Sequence, residues 1–171
     1  KAFQDVQIEN IPKMCVFVGA NGTGKTTLFN AFSFLKDALS DNVRVALTKL
    51  GGGRGFKEVR SRNSTGPIEI ELKFRKDNES PLVTYFLKIN EYKNDRPVIE
   101  TEILKYKINS KSHPWRVLDF SQGKGKAVIN EPDKVTDIKD LKRANYQLKS
   151  PDILALKGLA QFEKFPASKA I

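Results

Sequence analysis

Eight consecutive residues, Gly19-Ala20-Asn21-Gly22-Thr23-Gly24-Lys25-Thr26, satisfy the pattern G-x-x-x-x-G-K-[ST] at every fixed position. Glycines at 19, 22 and 24 permit a tight turn in which successive backbone amides point at one anion with no side chain in the way. Lys25 is a mobile positive charge able to reach the β- and γ-phosphates of a nucleoside triphosphate, and the Thr26 hydroxyl suits a Mg2+ ion. Asn21, Thr23 and Thr27 complete the set expected to surround the phosphates. At average residue usage, a chance match in a chain this long falls below about one in a hundred. The expected ligand is a nucleoside triphosphate with Mg2+.

The flanks agree with the motif. Met14 to Val18 (MCVFV) is a short apolar run ended by Gly19, which predicts a strand covered on both faces, as in a parallel sheet. The preceding stretch, Phe3 to Ile11, reads as an imperfect strand. From Lys25 to Leu39, apolar residues at Leu28, Phe29, Phe32, Leu35, Ala38 and Leu39 follow helical spacing and predict an amphipathic helix that buries that stripe. Its unpaired N-terminal amides and dipole would add to the anion site. A second helix is predicted from Asn42 to Leu50, stopped by Gly51-Gly52-Gly53.

The middle of the chain changes period. In Pro67 to Phe74, Ile68, Ile70, Leu72 and Phe74 alternate with Glu69, Glu71 and Lys73, the signature of a half-buried strand. Leu82–Ile89, Val98–Ile108, Arg116–Phe120 and Ala127–Ile129 read as further strands, with Asn-, Asp-, Ser-, Pro- or Gly-rich breaks between them. An antiparallel sheet of four or five strands is expected. In the tail, Ser150-Pro151-Asp152 predicts a capped helix start, followed by Ile153, Leu154, Leu156 and Leu159.

Hydrolysis needs more than binding: a second acidic residue at a buried strand end, and a group that orients the attacking water. AVINEPD, Ala127 to Asp133, is the nearest candidate, but polar Asn130 separates its short apolar run from Glu131, and a solvated hairpin end is the better reading. The catalytic acid is therefore expected to be missing from these 171 residues.

Composition sets the wider frame. A globular mixture of 39% hydrophobic and 29% charged residues excludes disorder and collagen-like structure. No apolar run approaches the ~20 residues of a membrane span. One cysteine, Cys15, and one histidine, His113, give no disulfide framework and no basis for a zinc site, and they fit a soluble protein of the reducing cytoplasm. A net charge of +10, from 30 Lys and Arg against 20 Asp and Glu, points weakly to a polyanionic partner.

The stretch GANGTGKTTLFNAFSFLKDAL resembles the opening of an ATPase head of the ABC superfamily, in the branch that holds RecF, the structural maintenance of chromosomes proteins and the OLD-family nucleases. GFKEVRSRNSTGPIEIELKF and SPDILALKGLAQFEKFP are similar to bacterial AAA family ATPases with such heads, whose members occur in genome maintenance and antiphage defence. The resemblance implies a mixed α/β fold. A P-loop NTPase core (strand, loop, helix) over residues 1–50 joins an antiparallel β-meander over 51–135 as lobe I, and 136–171 opens the helical second lobe, with the carboxy-terminal half absent. It also implies ATP hydrolysis in a head-to-head homodimer or higher oligomer. Lys25 and Thr26 of one head would then face a signature segment of the other. One glutamine would touch Mg2+ and the attacking water: Gln161 fits best by position, then Gln122, then Gln147. A second outcome is a nucleotide-gated assembly module whose partner nuclease does the chemistry. A kinase is disfavoured by the long antiparallel insertion and a GTPase by the lack of N-K-x-D.

Two basic regions carry the question of nucleic acid. Between Arg44 and Arg62 there are six Lys and Arg against one acid, Glu58, and Arg54, Arg60 and Arg62 could meet phosphates or the nucleotide. A solvated loop is the plainer alternative. Lys105 to Lys149 holds eleven basic and five acidic residues, a diffuse face able to hold a phosphate backbone without reading sequence. Trp115, Phe120 and Tyr106 could stack on bases, but their strand positions favour packing.

Overall fold

The computed structural model describes residues 5–52, 55–60, 64–92, 96–107, 113–130 and 137–161. Three helices come first: α1 (Lys25–Ser40), α2 (Val43–Gly51) and the single turn α3 (Phe56–Val59). Asn42 caps α2 as its type predicts, its side-chain oxygen accepting from the Val45 amide at 2.9 Å, and the helix stops at the glycines.

Six strands follow: β1 (Ile68–Phe74), β2 (Leu82–Tyr92), β3 (Arg96–Lys107), β4 (Trp115–Ser121), β5 (Lys124–Val128) and β6 (Arg143–Gln147). They pair in chain order, each antiparallel to the next, so the sheet is an uncrossed meander. The register places Ile70 opposite Leu87, Tyr85 opposite Leu104, and Leu104 opposite Leu118, which stacks the inward residues of successive strands. Leu87, Leu104 and Leu118 are fully buried, and burial of each is worth roughly 2 kcal/mol. Helix α2 packs on β3, while α4 (Ala155–Ala160) packs on β4 and α1. One continuous core results, running from Phe34, Leu35 and Ala38 of α1 through the sheet to Leu156 and Leu159.

Several expectations require correction. Among the described residues six strands form rather than four or five, because RANYQ adds β6 beside β5. The fifth strand runs Lys124–Val128 rather than Ala127–Ile129. The tail helix begins at Ala155, not at Pro151. Instead, the carbonyls of Pro151 and Asp152 accept from the Ile99 and Val43 amides at 2.9 Å each, which ties this turn to β3 and α2.

The largest correction concerns the apolar run before the phosphate loop. Met14 to Val18 forms no strand, and neither does the described part of the preceding segment, from Asp5 to Ile11. Met14, Val16 and Val18 are 84%, 73% and 91% exposed. A strand exists only through the hydrogen bonds of a neighbour. The described sheet is wholly antiparallel, begins at Ile68, and offers none to this run. The adjacent face of α1 follows suit: Phe29 and Phe32 of the predicted stripe are exposed, and burial is confined to Phe34, Leu35 and Ala38. Among the described residues no helix is long and apolar enough to cross a membrane.

Candidate nucleotide-binding site

The loop from Gly19 to Gly24 has the backbone its glycines permit. Gly22 and Gly24 take φ of +85° and +96°, values that a β-carbon strains. Gly24 is the N-cap of α1 and no side chain caps that end. The first backbone bond of the helix runs from the Leu28 amide to the Gly24 carbonyl at 3.1 Å, so the amides of Lys25, Thr26 and Thr27 precede the helical ladder and face an incoming anion.

Lys25 folds back over the loop. Its ammonium donates to the carbonyls of Gly19 at 2.5 Å and Ala20 at 2.7 Å, and to the Thr23 hydroxyl at 3.4 Å. Thr23 in turn donates to the Ala20 carbonyl at 2.9 Å. The cation therefore sits where its charge is held by loop carbonyls. Thr26 is exposed beside it. Among the described residues no carboxylate bonds to Lys25 or Thr26, so the loop's field stays positive.

The far end of α1 is clamped. Lys157 of α4 donates to the Ser40 carbonyl at 2.6 Å and to the Asp41 carbonyl, and Lys49 of α2 pairs with Asp37 and Asp41 at 3.1 and 3.0 Å. These cations lie at the negative end of the helix dipole, and the phosphate loop lies at the positive end. Near the loop, the Phe17 and Phe29 rings meet edge-to-face at 5.8 Å and 89°.

A cavity of about 610 Å³ opens beside the first turn of α1. Thr27 and Asn30 of α1, Arg60 after α3, Asp5 and Glu69 supply polar groups to it, and Leu47, Val59 and Ile70 supply apolar wall. Arg60 is fixed by a 5.1 Å stack over Phe56 and by donation to the Thr65 carbonyl at 3.0 Å. Of the arginines singled out in the sequence, Arg60 thus lines the same cavity as Thr27, while Arg54 and Arg62 lie outside the described residues.

The glutamines are not brought to the loop. Gln161 ends α4, whose Lys157 holds the opposite end of a 16-residue helix, roughly 24 Å long, from the glycine loop. Gln122 occupies the β4–β5 hairpin turn with φ of +50°, its amide donating to the Ile99 carbonyl at 2.9 Å. Gln147 lies on β6 opposite Lys124. Asn130 joins a local turn, bonded to Asp140 and Lys142, and Glu131 lies outside the described residues.

Sequence reasoning passed over Glu102. This carboxylate is 1% exposed on β3 and accepts from the Ala155 and Leu156 amides at 2.5 and 3.0 Å and from the Tyr85 hydroxyl at 3.1 Å. It caps α4 from 53 residues away in the chain, the task the sequence had assigned to Ser150. Burial pushes its carboxyl up to about 7 although all three donors pull the other way. The available signal was an acid in an inward series, Glu102, Leu104, Tyr106, where only apolar residues belong.

No curated protein and no solved structure matches the chain. A protein-family profile does, over residues 14–159, and its description reads "AAA domain, putative AbiEii toxin, Type IV TA system". The match starts at Met14, includes the whole phosphate loop and the meander, and ends at Leu159 of α4. On that span the chain belongs to this AAA-domain family, whose domain is of the nucleotide-binding, ATPase type.

Proposed function

We propose that the chain binds Mg2+-ATP at Gly19–Thr27 as the first lobe of an ABC-type ATPase head, and that the complete dimeric protein, two heads closing on the nucleotide between them, hydrolyses it. Nucleic-acid work in genome maintenance or antiphage defence is the process driven. The observation that carries the reading is the poised cation: Lys25 over the Gly19 and Ala20 carbonyls, next to three uncommitted helix amides. A triphosphate would draw Lys25 off those carbonyls and onto its β- and γ-oxygens, and Thr26 would take Mg2+. The cavity beside Thr27 would receive the base and ribose, with Arg60 and Asn30 as polar partners. Two heads would supply what this loop lacks, since no carboxylate among the described residues contacts it.

A second reading is a nucleotide-gated assembly module in a defence complex, with a partner nuclease doing the chemistry. The apolar side chains left bare around the loop, Met14, Val16, Val18, Phe29 and Phe32, favour it, as does a family description that names a toxin of a type IV toxin–antitoxin system.

The test is a thermal-shift titration with ATP, with and without Mg2+, alongside turnover. Ligand at about a hundred times Kd stabilises the native state by about 2.7 kcal/mol. The wild type should shift and Lys25→Ala should not. No shift in the wild type refutes nucleotide binding. Turnover without dimerisation, abolished by Lys25→Ala, refutes the two-headed mechanism. Binding that assembles a complex without turnover selects the module.

A further inference from the structure

The meander has two faces, and the outward one is electrically divided. On the β1–β2 side it carries Glu69 and Glu71, with Glu100 from β3, beside Lys73 and Lys88. These charges cancel locally: Lys88 pairs with Glu69 and Glu100 at 3.4 and 3.2 Å, and Lys73 with Glu71 at 2.7 Å. On the β3–β6 side the register gathers Lys105, Lys107, Arg116, Lys124, Lys126 and Arg143 against two carboxylates among the described residues, Asp119 and the Glu100 already paired with Lys88. Asp119 bonds to Arg116 at 2.8 Å, and among the described residues the other five cations enter no ion pair.

We propose that this half of the outward face is a docking surface for the phosphate backbone of a nucleic-acid duplex. It rests on the nucleic-acid part of the function proposed above, and it is independent of the nucleotide part. Charge complementarity sets the partner. Four strands span roughly 14 Å, and that length of duplex axis carries about eight phosphates. Between the cations stand Ser121, Asn145 and Gln147, hydrogen-bonding side chains of the kind that position phosphates.

The geometry also separates duplex from single strand. Stacking platforms need exposed rings. Trp115, Phe120 and Tyr106 instead lie on the inward side, at 8%, 2% and 4% exposure, which removes the base-stacking role their sequence positions had left open. An anionic membrane would call for exposed Trp, Phe or Leu among the cations. None of the large exposed apolar residues among the described ones lies on strands β3 to β6.

The experiment is anisotropy of a labelled random-sequence duplex of about 25 base pairs, titrated with the full 171-residue chain at several salt concentrations. Five or six phosphate contacts predict a log–log salt slope near −5. Lys124→Ala with Lys126→Ala should make the slope shallower by about 2 and weaken binding at about 0.1 M salt on the order of fifty-fold. Lys73→Ala with Lys88→Ala removes the same charge from the compensated side and should change affinity less than about threefold. Lys25→Ala should leave duplex binding intact. Equal losses from the two pairs overturn the proposal in favour of bulk charge. Retention of binding by the Lys124/Lys126 pair, with loss in Arg60→Ala, overturns the face but keeps nucleic acid as a ligand. Absence of wild-type duplex binding, or tighter binding to phosphatidylserine vesicles that duplex does not displace, overturns the face and the nucleic-acid reading together. Nucleotide shifts measured in parallel show whether the ATP reading stands alone.

Discussion

The meander and the phosphate-loop segment are built from equally apolar stretches and end in opposite environments. Leu82 to Ile89 alternates, and every second residue, Val83, Tyr85, Leu87 and Ile89, is nearly or fully buried. Met14 to Val18 is the more continuous apolar run, yet it lies in water. What separates them is the supply of backbone partners. Each meander strand finds its neighbour a few residues on, across a short turn, whereas a strand in the middle of a parallel sheet must wait for distant segments. Hydrophobicity states that a segment favours burial, and topology decides whether it is buried.

Substitutions of similar chemistry in the two regions should therefore have very unequal effects. Leu104→Ala, at a fully buried position on β3, should lower unfolding stability by about 3 to 4 kcal/mol, read from the urea midpoint at constant slope. A loss under about 1 kcal/mol would mean that the meander is no better packed than the loop segment.

Glu102 tests the polar side of the packed region. The carboxyl stands near 7 folded against 4.5 unfolded. Between those values the folded chain holds the proton and the unfolded chain releases it. Stability therefore falls as pH rises from about 4.5 to about 7, by about 3 kcal/mol at most, and is level above that. Glu102→Gln should flatten this window in urea midpoints taken across it. It should also cost about 1 to 3 kcal/mol, because its amide nitrogen faces donors. An unchanged pH profile would show that the helix cap tolerates the charge without penalty.

In the exposed region function should part from stability. Lys25→Ala is expected to weaken ATP binding about a hundredfold, near 2.7 kcal/mol, and to leave the urea midpoint of the empty protein unchanged. A fall in that midpoint would place Lys25 in the scaffold. The smallest effect is expected for Val16→Ser, under about 0.5 kcal/mol in stability. A large loss there would reveal a burial partner for the run and erase the contrast between the regions.

The legibility of the sequence follows the same division. The phosphate loop, the first two helices and β1 to β4 were readable because their determinants are local: spacing, alternation, a cap at Asn42, a stop at the glycines. β6 escaped notice because RANYQ turns Arg143, Asn145 and Gln147 outward and only Ala144 and Tyr146 inward, a pattern too polar and too short to stand out. The tail helix was placed too early because Ser150-Pro151-Asp152 is a good capping string, and nothing local reveals that its carbonyls are committed to β3 and α2. The capping role of Glu102 could not be read for the same reason, since the α4 amides it accepts from are 53 and 54 residues away. Of the proposed site, the glycine-loop pattern could be read from local spacing, and the cavity with Arg60 could not, because five separate stretches of chain, around Asp5, Thr27, Leu47, Arg60 and Glu69, make it.

Glu102 has one more consequence, for the timing of amide exchange. A six-residue helix is too short to hold itself together in water, and the cap of α4 belongs to a strand. Its first amides should thus exchange with solvent deuterium only when β3 lets go, on the schedule of global unfolding. Those of Lys25, Thr26 and Thr27 should exchange almost as fast as in a free peptide. The two ends of the matched family span would then keep separate clocks, and a bound triphosphate would slow one of them.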